Sequence, residues 1–528
     1  MPTSALHRRR FLDHLSRRAA ALALSGLFGA ASARNTPPAR AAAWAAGHYP
    51  FTLGVASGMP RSDSVAIWTR LAPQPHAPHG GLPEAAVEVG WELAEDERFS
   101  RGLRSGTVVA RFENAHSVHV QVDRLRSGAR CFYRFTAGDA VSPVGRTRTA
   151  AAQGAKVQRL RLALASCQHY EQGSFAAHRE IAERDLDLVL FVGDYIYESS
   201  NPRLRVRRHE GPAPFTLDAY RARHATYKLD ADLQAAHAAH PWLLTWDDHE
   251  VENDYAGAVS SSGMTPAAFL TRRAAAYKAY FEHMPVAPTM APQAAAMRIH
   301  DRCAWGDLAE LWTLDNRQFR DPAACDPAAL PDPPAAACAA LADTARSRFG
   351  MAQEAWLADS LAASPCRWKL LGQGSQISTG RVGTVVGPRI NLDGWDGYPA
   401  ARRRLLQAIA QRRGGDVLCL GGDVHRNVAA QLRLDPSDPR SPVVASEFVC
   451  TSISSRSAVA PNLAPMRDAN PDIVHARGDE RGYALIEIDR ERASCEFRST
   501  ASPATAGALL GTQARFTIEA GGQRLERA

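Results

Sequence analysis

Cys167, Asp194, Tyr197, Asp248, Asn253, Asp423 and His425 offer a thiol, carboxyls, a phenol, an amide and an imidazole, each just past an apolar run of the chain. Side chains of these types hold metal ions. Thiolate and phenolate both stabilise trivalent iron, so Cys167, Asp194, Tyr197 and His425 form a donor set suited to Fe3+. Asp194, Asp248 and Asp423, with Asn253 as a further oxygen donor, form an all-oxygen set suited to Ca2+. Asp194 belongs to both sets and reads as a bridging carboxylate. Spacing leaves open whether Asp247 or Asp248 is the ligand. His249 lies outside both sets and is the candidate to stabilise or protonate a leaving oxygen; the alternative is that it only orients a carboxylate. Ser166 and Thr245 lack the partner pattern of an activated nucleophile and read as strand-end packing.

Four stretches must position these groups. The runs 162–165, 189–192, 242–246 and 417–420 are short and apolar, as expected of parallel strands covered on both faces. They end at Ser166-Cys167, Gly193-Asp194, Asp247-Asp248-His249-Glu250 and Gly421-Gly422-Asp423. Gly193 permits the sharp departure that turns Asp194 and Tyr197 outward. In an open α/β sheet, ligands bind beyond the carboxyl ends of the strands, so four such ends can converge on one site. Any one end could be a mere turn or helix cap; the coincidence of four points to a site. Helices are expected at 175–182, within 215–239, at 352–362 and at 398–411, the alternation of a βαβ chain.

Taken together, Cys167, Gly-Asp-Tyr-Ile-Tyr at 193–197, Trp-Asp-Asp-His-Glu-Val-Glu-Asn at 246–253 and Gly-Gly-Asp-Val-His at 421–425 resemble the PhoD-like alkaline phosphatase/phosphodiesterase family. These are calcineurin-like metallophosphoesterases related to purple acid phosphatases. Supporting matches lie at 51–58, 314–321 and 353–357. The resemblance implies an α/β fold, a four-layer αββα sandwich over 157–528. It further implies iron on the residues matching Cys167, Asp194, Tyr197 and His425, calcium on acidic and amide oxygens, and two-metal hydrolysis of phosphate monoesters, diesters or both. Relative to purple acid phosphatases, Cys167 stands where an aspartate is usual and Asp423 where a histidine is usual; the second change favours a harder cation than zinc. Asp248 takes the place of the asparagine in the superfamily's Gly-Asn-His-Glu motif. Two further readings remain. One is a phospholipase D-type diesterase or nucleotidase sharing the site, the other a non-catalytic, metal-loaded cell-surface protein whose coordination would be closed by protein ligands.

A chain of 528 residues favours two domains. Short alternating strands over 46–149 predict an all-β sandwich resembling fibronectin type III or Ig domains, followed by a linker at 150–156. The stretches 254–264 and 461–478 read as long surface loops, and 483–488 with 494–498 as a hairpin. At the start, His7-Arg8-Arg9-Arg10-Phe11-Leu12, an alanine-rich apolar segment and Ala31-Ser32-Ala33 resemble a twin-arginine signal peptide over 1–33. That predicts export through the twin-arginine (Tat) machinery to the periplasm or the medium. Cleavage after Ala33 takes the formal charge from +7 to about +3, leaving no electrostatic case for nucleic-acid or polybasic membrane binding. No later run is long enough to span a bilayer. Of nine cysteines, Cys325 and Cys338 flank a Pro- and Ala-rich loop and are expected to pair; Cys131, Cys419 and Cys450 read as buried thiols.

Overall fold

The computed structural model describes residues 44, 48–325, 338–381, 390–456, 462–522 and 524–528; the leader read at 1–33 lies outside them. The strands of the N-terminal region are β1 (Val55–Gly58), β2 (Val65–Arg70), β3 (Val87–Ala94), β4 (Arg104–Ala110), β5 (Ser117–Val122), β6 (Arg130–Ala137), β7 (Ala140–Val141) and β8 (Gly145–Arg148). Next come β9 (Arg159–Ala165), β10 (Leu188–Val192), β11 (Pro241–Thr245), β12 (Asp301–Trp305), β13 (Ala309–Thr313), β14 (Trp368–Gly372), β15 (Asp416–Gly421), β16 (Asn427–Arg433) and β17 (Val443–Val449). The chain closes with β18 (Ile473–Arg477), β19 (Arg481–Asp489), β20 (Arg492–Thr500), β21 (Gly511–Glu519) and β22 (Glu526–Arg527). Described helices are α1 (Ala176–Glu183), α2 (Leu217–Lys228), α3 (Ala231–Ala239), α4 (Pro266–His283), α5 (Met351–Ala363), α6 (Pro399–Ala410) and α7 (Ala464–Ala469).

Two large sheets result. The first runs β22-β21-β20-β19-β9-β10-β11-β1-β2-β5 and the second β12-β13-β14-β15-β17-β16-β18. In the first, β9, β10 and β11 are parallel neighbours; in the second, β13, β14, β15 and β17 are. Each residue of β10 is buried, which is why that strand is apolar throughout rather than alternating. Successive side chains of the second sheet point opposite ways. Leu370, Leu418 and Leu420 join Leu164, Leu190 and Leu244 of the first sheet in one core, while Leu371, Val417 and Cys419 pack with Leu357, Leu361, Leu405 and Ile409 of α5 and α6. Ile181, Tyr220, Leu233 and Tyr277 of the four helices α1–α4 also enter the first core. Each fully buried aliphatic side chain contributes about 1.5–3 kcal/mol, and this is the reserve against which strained strand ends are held.

The N-terminal β-rich domain is built on the same sheet. β1 pairs in parallel with β11, and β2 and β5 extend the sheet to its edge. Val55, Ile67 and Val118 of these strands face Val89, Leu93, Tyr133 and Phe135 of the smaller sheet that carries β3, β4 and β6. A Cβ at Gly58, beside β11, would lie 2.3 Å from the Pro285 carbonyl oxygen and 2.7 Å from that of Trp242, so this junction requires glycine. One loop expectation is corrected: 461–478 was read as irregular, yet its described part contains α7 and β18. β18 pairs with β16 and buries Ile473, His475 and Ala476, a strand too short and too polar to stand out in the sequence. Cys325 and Cys338 are disulfide-bonded, and the remaining seven cysteines are buried free thiols. Among the described residues no helix is long and apolar enough to cross a membrane.

Candidate metal centre

The parallel register sets β9, β10 and β11 side by side, with Phe191 opposite Ala165 and Val192 opposite Thr245. The chain leaves β9, β10 and β15 through left-handed residues. Gly193 has φ 111°, and a Cβ there would sit 2.6 Å from the Asp247 amide nitrogen. Cys167 (φ 58°), Asp194 (φ 58°), Asp423 (φ 67°) and His425 (φ 52°) adopt the same region without being glycine, at about 1–3 kcal/mol each. Strain of this kind persists only where packing enforces it. Backbone hydrogen bonds continue the ladder past the strands, from Cys167 N to Gly193 O and from Gln168 N to Asp194 O, both 3.1 Å. Glu250 then clamps two strand ends: its carboxylate accepts from the amides of Asp194 (3.2 Å), Tyr195 (2.6 Å) and Asp247 (2.9 Å).

Donor atoms of Cys167, Asp194 and His425 lie within 4.8 Å of one another, as do those of Asp194, Asp248 and His249. Asp194 is common to both groups. The Tyr197 hydroxyl donates to Asp194 Oδ2 at 2.9 Å and sits 3.1 Å from His425 Nε2. Asp194 Oδ1 is buried with no hydrogen-bond partner. Asp423 Oδ2 accepts from the Ser375 hydroxyl at 3.0 Å. Asn253 is exposed, and its contacts run through its backbone, the amide donating to Glu198 and the carbonyl accepting from Ser261. Asp248 Oδ2 accepts from the Asp254 amide at 2.6 Å. Asp247 Oδ1 accepts from Asn316 Nδ2 at 3.0 Å and from Arg317 Nε, leaving its buried Oδ2 unpartnered. Ser166 and Thr245 are hydrogen-bonded across the two sheets, to Cys450 and to the Leu314 carbonyl.

The electrostatics of the cluster are set by burial and by the closeness of its acids. Burial, against the attraction of His249 and with repulsion from Asp248, Asp247 and Glu250, pushes the Asp194 carboxyl well above its usual range. Burial with Asp247, Asp393 and Asp248 does the same to Asp423. The Cys167 thiol is raised by burial and then by Asp194, and the Tyr197 phenol by burial, Asp194 and Cys167. Burial opposes ionisation of Asp248 too, but Arg317 and His249 hold its carboxyl below the usual range. His425 is driven down to about 3 by burial and Arg481, so its ring is neutral and has a lone pair to give. His249 goes the other way: against burial, Glu198, Asp194 and Asp248 raise it well above the ordinary imidazole range. Thiol, phenol, neutral imidazole and crowded carboxylates are the donors that a pair of cations would relieve of this repulsion. Arg317 offsets part of this repulsion: its fully buried guanidinium forks onto Asp393 at 2.7 and 2.9 Å and lies 3.5 Å from Asp248.

Several supporting residues went unassigned in the sequence. Glu198 Oε2 sits 2.6 Å from His249 Nδ1, and the His249 ring packs on Tyr197 with centroids 4.1 Å apart. Arg317 and Asn316 lie in the 314–321 motif, Glu250 in the Asp-Asp-His-Glu run. An acid or arginine inside a motif, with no solvent-facing pattern around it, is the signal that marks them.

Comparison with known proteins gives one consistent family. The model described as PhoD-like phosphatase matches residues 162–497, and that of the PhoD-like phosphatase N-terminal domain matches 36–151. Alkaline phosphatase D of Bacillus subtilis (strain 168) is 41% identical over 478 residues, spanning 89% of this chain and 81% of the relative. A solved structure titled as that of PhoD superposes with a TM-score of 0.87 at 40% identity, covering 92% of this chain and 93% of the other.

Proposed function

Because this chain belongs to the PhoD-like phosphatase family, and is therefore a phosphatase, we propose that it hydrolyses phosphate monoesters, diesters or both at the strand-end cluster, with Fe3+ and Ca2+ as its cations. The observation that carries the reading is the pair of donor groups sharing Asp194, whose second oxygen has no protein partner. Cys167, Asp194, Tyr197 and His425 would hold the iron, since thiolate and phenolate favour the trivalent ion. Asp194, Asp248, Asp423 and Asn253 would hold calcium through oxygen. When bound, the two cations supply Lewis acidity, lowering the pKa of water and neutralising charge that grows on the phosphoryl oxygens.

The protein's own part is positioning and proton control. Glu250 fixes the turns that aim Asp194 and Asp247. Glu198 orients His249 and keeps it protonated, which suits it to donate a proton to the departing oxygen. Arg317 takes up the charge of Asp247 and Asp393, so that Asp248 stays ionised. The packing of one core between two sheets, with helices on both outer faces, supports reading the catalytic region as the four-layer αββα sandwich of metallophosphoesterases. Export by the twin-arginine route, with residues 1–33 removed, is part of the same proposal and rests on the leader motif.

Phosphate release from a monoester and a diester, measured with and without a calcium chelator, tests this reading. Activity on at least one ester, lost on chelation and restored by calcium, is expected; full activity in chelator would contradict it.

A further inference from the structure

Resting on the phosphatase reading above, we propose that Arg426 grips the non-bridging phosphoryl oxygens of the substrate, a binding contact supplied by the protein beside the cation donors. Arg426 directly follows His425, whose left-handed turn (φ 52°) precedes the start of β16 at Asn427. Its Nη2 donates to Gln376 Oε1 at 3.0 Å. Gln376 is itself held, its amide donating to the Ser378 carbonyl (3.2 Å) and hydroxyl (3.1 Å). The guanidinium is thus fixed from one side by a braced amide.

Among the described residues the rest of the fork makes no hydrogen bond. Nε is buried with no hydrogen-bond partner, and among the described residues no carboxylate forms an ion pair with Arg426. Other buried arginines have a stronger partner. Arg317, Arg320 and Arg402 each pair with an aspartate, while Arg223 and Arg481 donate to backbone carbonyls. The negative charge acting on Arg426 is the carboxylate of Asp423, a group assigned here to the calcium. Once a cation takes that carboxylate, the guanidinium keeps an unpartnered Nε and has no counter-charge among the described residues. A phosphoryl group at the centre supplies both, because its oxygens match the planar fork of an arginine. Ser375, one residue before Gln376, already donates to Asp423, so the loop that braces Arg426 also touches the cation site.

The test compares the wild-type protein with Arg426→Gln and Arg426→Lys. Inorganic phosphate affinity is measured by calorimetry, KM and kcat on a monoester and a diester by phosphate release, and iron, calcium and melting temperature alongside. Loss of a charge-assisted hydrogen bond predicts roughly 10- to 100-fold weaker phosphate binding in Arg426→Gln, a matching fall in kcat/KM, unchanged metal content and melting, and partial recovery in Arg426→Lys. Phosphate affinity within twofold of wild type would overturn the proposal. So would loss of calcium in step with activity, which would make Arg426 a prop for Asp423. Should the wild type hydrolyse neither ester, the phosphatase reading fails, whereas equal phosphate binding in an active wild type and Arg426→Gln sinks only this inference.

Discussion

Asp194 is the residue on which both donor groups depend, and its replacement is the sharpest test at this scale. Asp194→Asn and Cys167→Ser are each expected to abolish phosphate release and to lower bound iron, while circular dichroism and the melting transition of the apo proteins stay close to wild type; full activity in either would remove the residue from the centre. His249 carries a different expectation. If Glu198 keeps it protonated to serve the departing oxygen, His249→Gln should lower kcat by about 10²–10⁴-fold with metals retained, and the loss should shrink for esters whose leaving group needs no proton. An equal loss across leaving groups would instead make it an orienting residue. The clustering of Cys167, Asp194, Asp248, His249 and His425 was legible in the sequence, because potential donors fell together at four strand ends. The choice between Asp247 and Asp248 was not. It depends on Arg317 and Asn316, about 70 residues away, which engage Asp247 Oδ1 and which no local pattern ties to it.

At the scale of elements, the turns after β10 and β15 do the positioning. Gly193→Ala would place a Cβ 2.6 Å from the Asp247 amide nitrogen at φ 111°, where an L-residue is strained regardless of space. A destabilisation of roughly 2 kcal/mol or more is expected by chemical denaturation, with metal binding weakened further because Asp194 moves. A melting curve and metal content equal to wild type would show that the turn is soft. The four strands could be read from the apolar runs, since parallel strands buried on both faces carry no other signature; that β15 belongs to the second sheet could not. The partnership of β1 with β11 could not. Val55–Gly58 is only four residues long, and its parallel register with Ser57 opposite Pro241 links positions that no periodicity relates. Because β1, β2 and β5 complete the first sheet, deleting the chain up to residue 150 would leave β11 as a bare edge. The truncated protein is expected to aggregate, and a soluble, active fragment starting at 157 would contradict the continuity of the sheet.

For the whole molecule, buried neutral histidines set the response to acid. Burial holds His178 and His224 down to about 3 and His119 and His240 to about 4. In the unfolded chain each takes up a proton near pH 6.5. Between about pH 6.5 and 4 the unfolded state therefore binds more protons, and stability falls as the pH falls. The slope approaches roughly 1.4 kcal/mol per pH unit for each histidine. Melting temperature should drop steadily from pH 7 to 4.5, and less steeply in His224→Phe, whose ring nitrogens have no partners to lose; a flat profile would count against neutral histidines in the core. The account as a whole turns on Asp194 joining two unlike cations. Diffraction data from the metal-loaded protein, collected on either side of the iron absorption edge, test this directly. An iron peak among Cys167, Asp194, Tyr197 and His425, with a second, edge-insensitive cation between Asp194 and Asp248, is predicted. A single cation, or iron anywhere else, would contradict it.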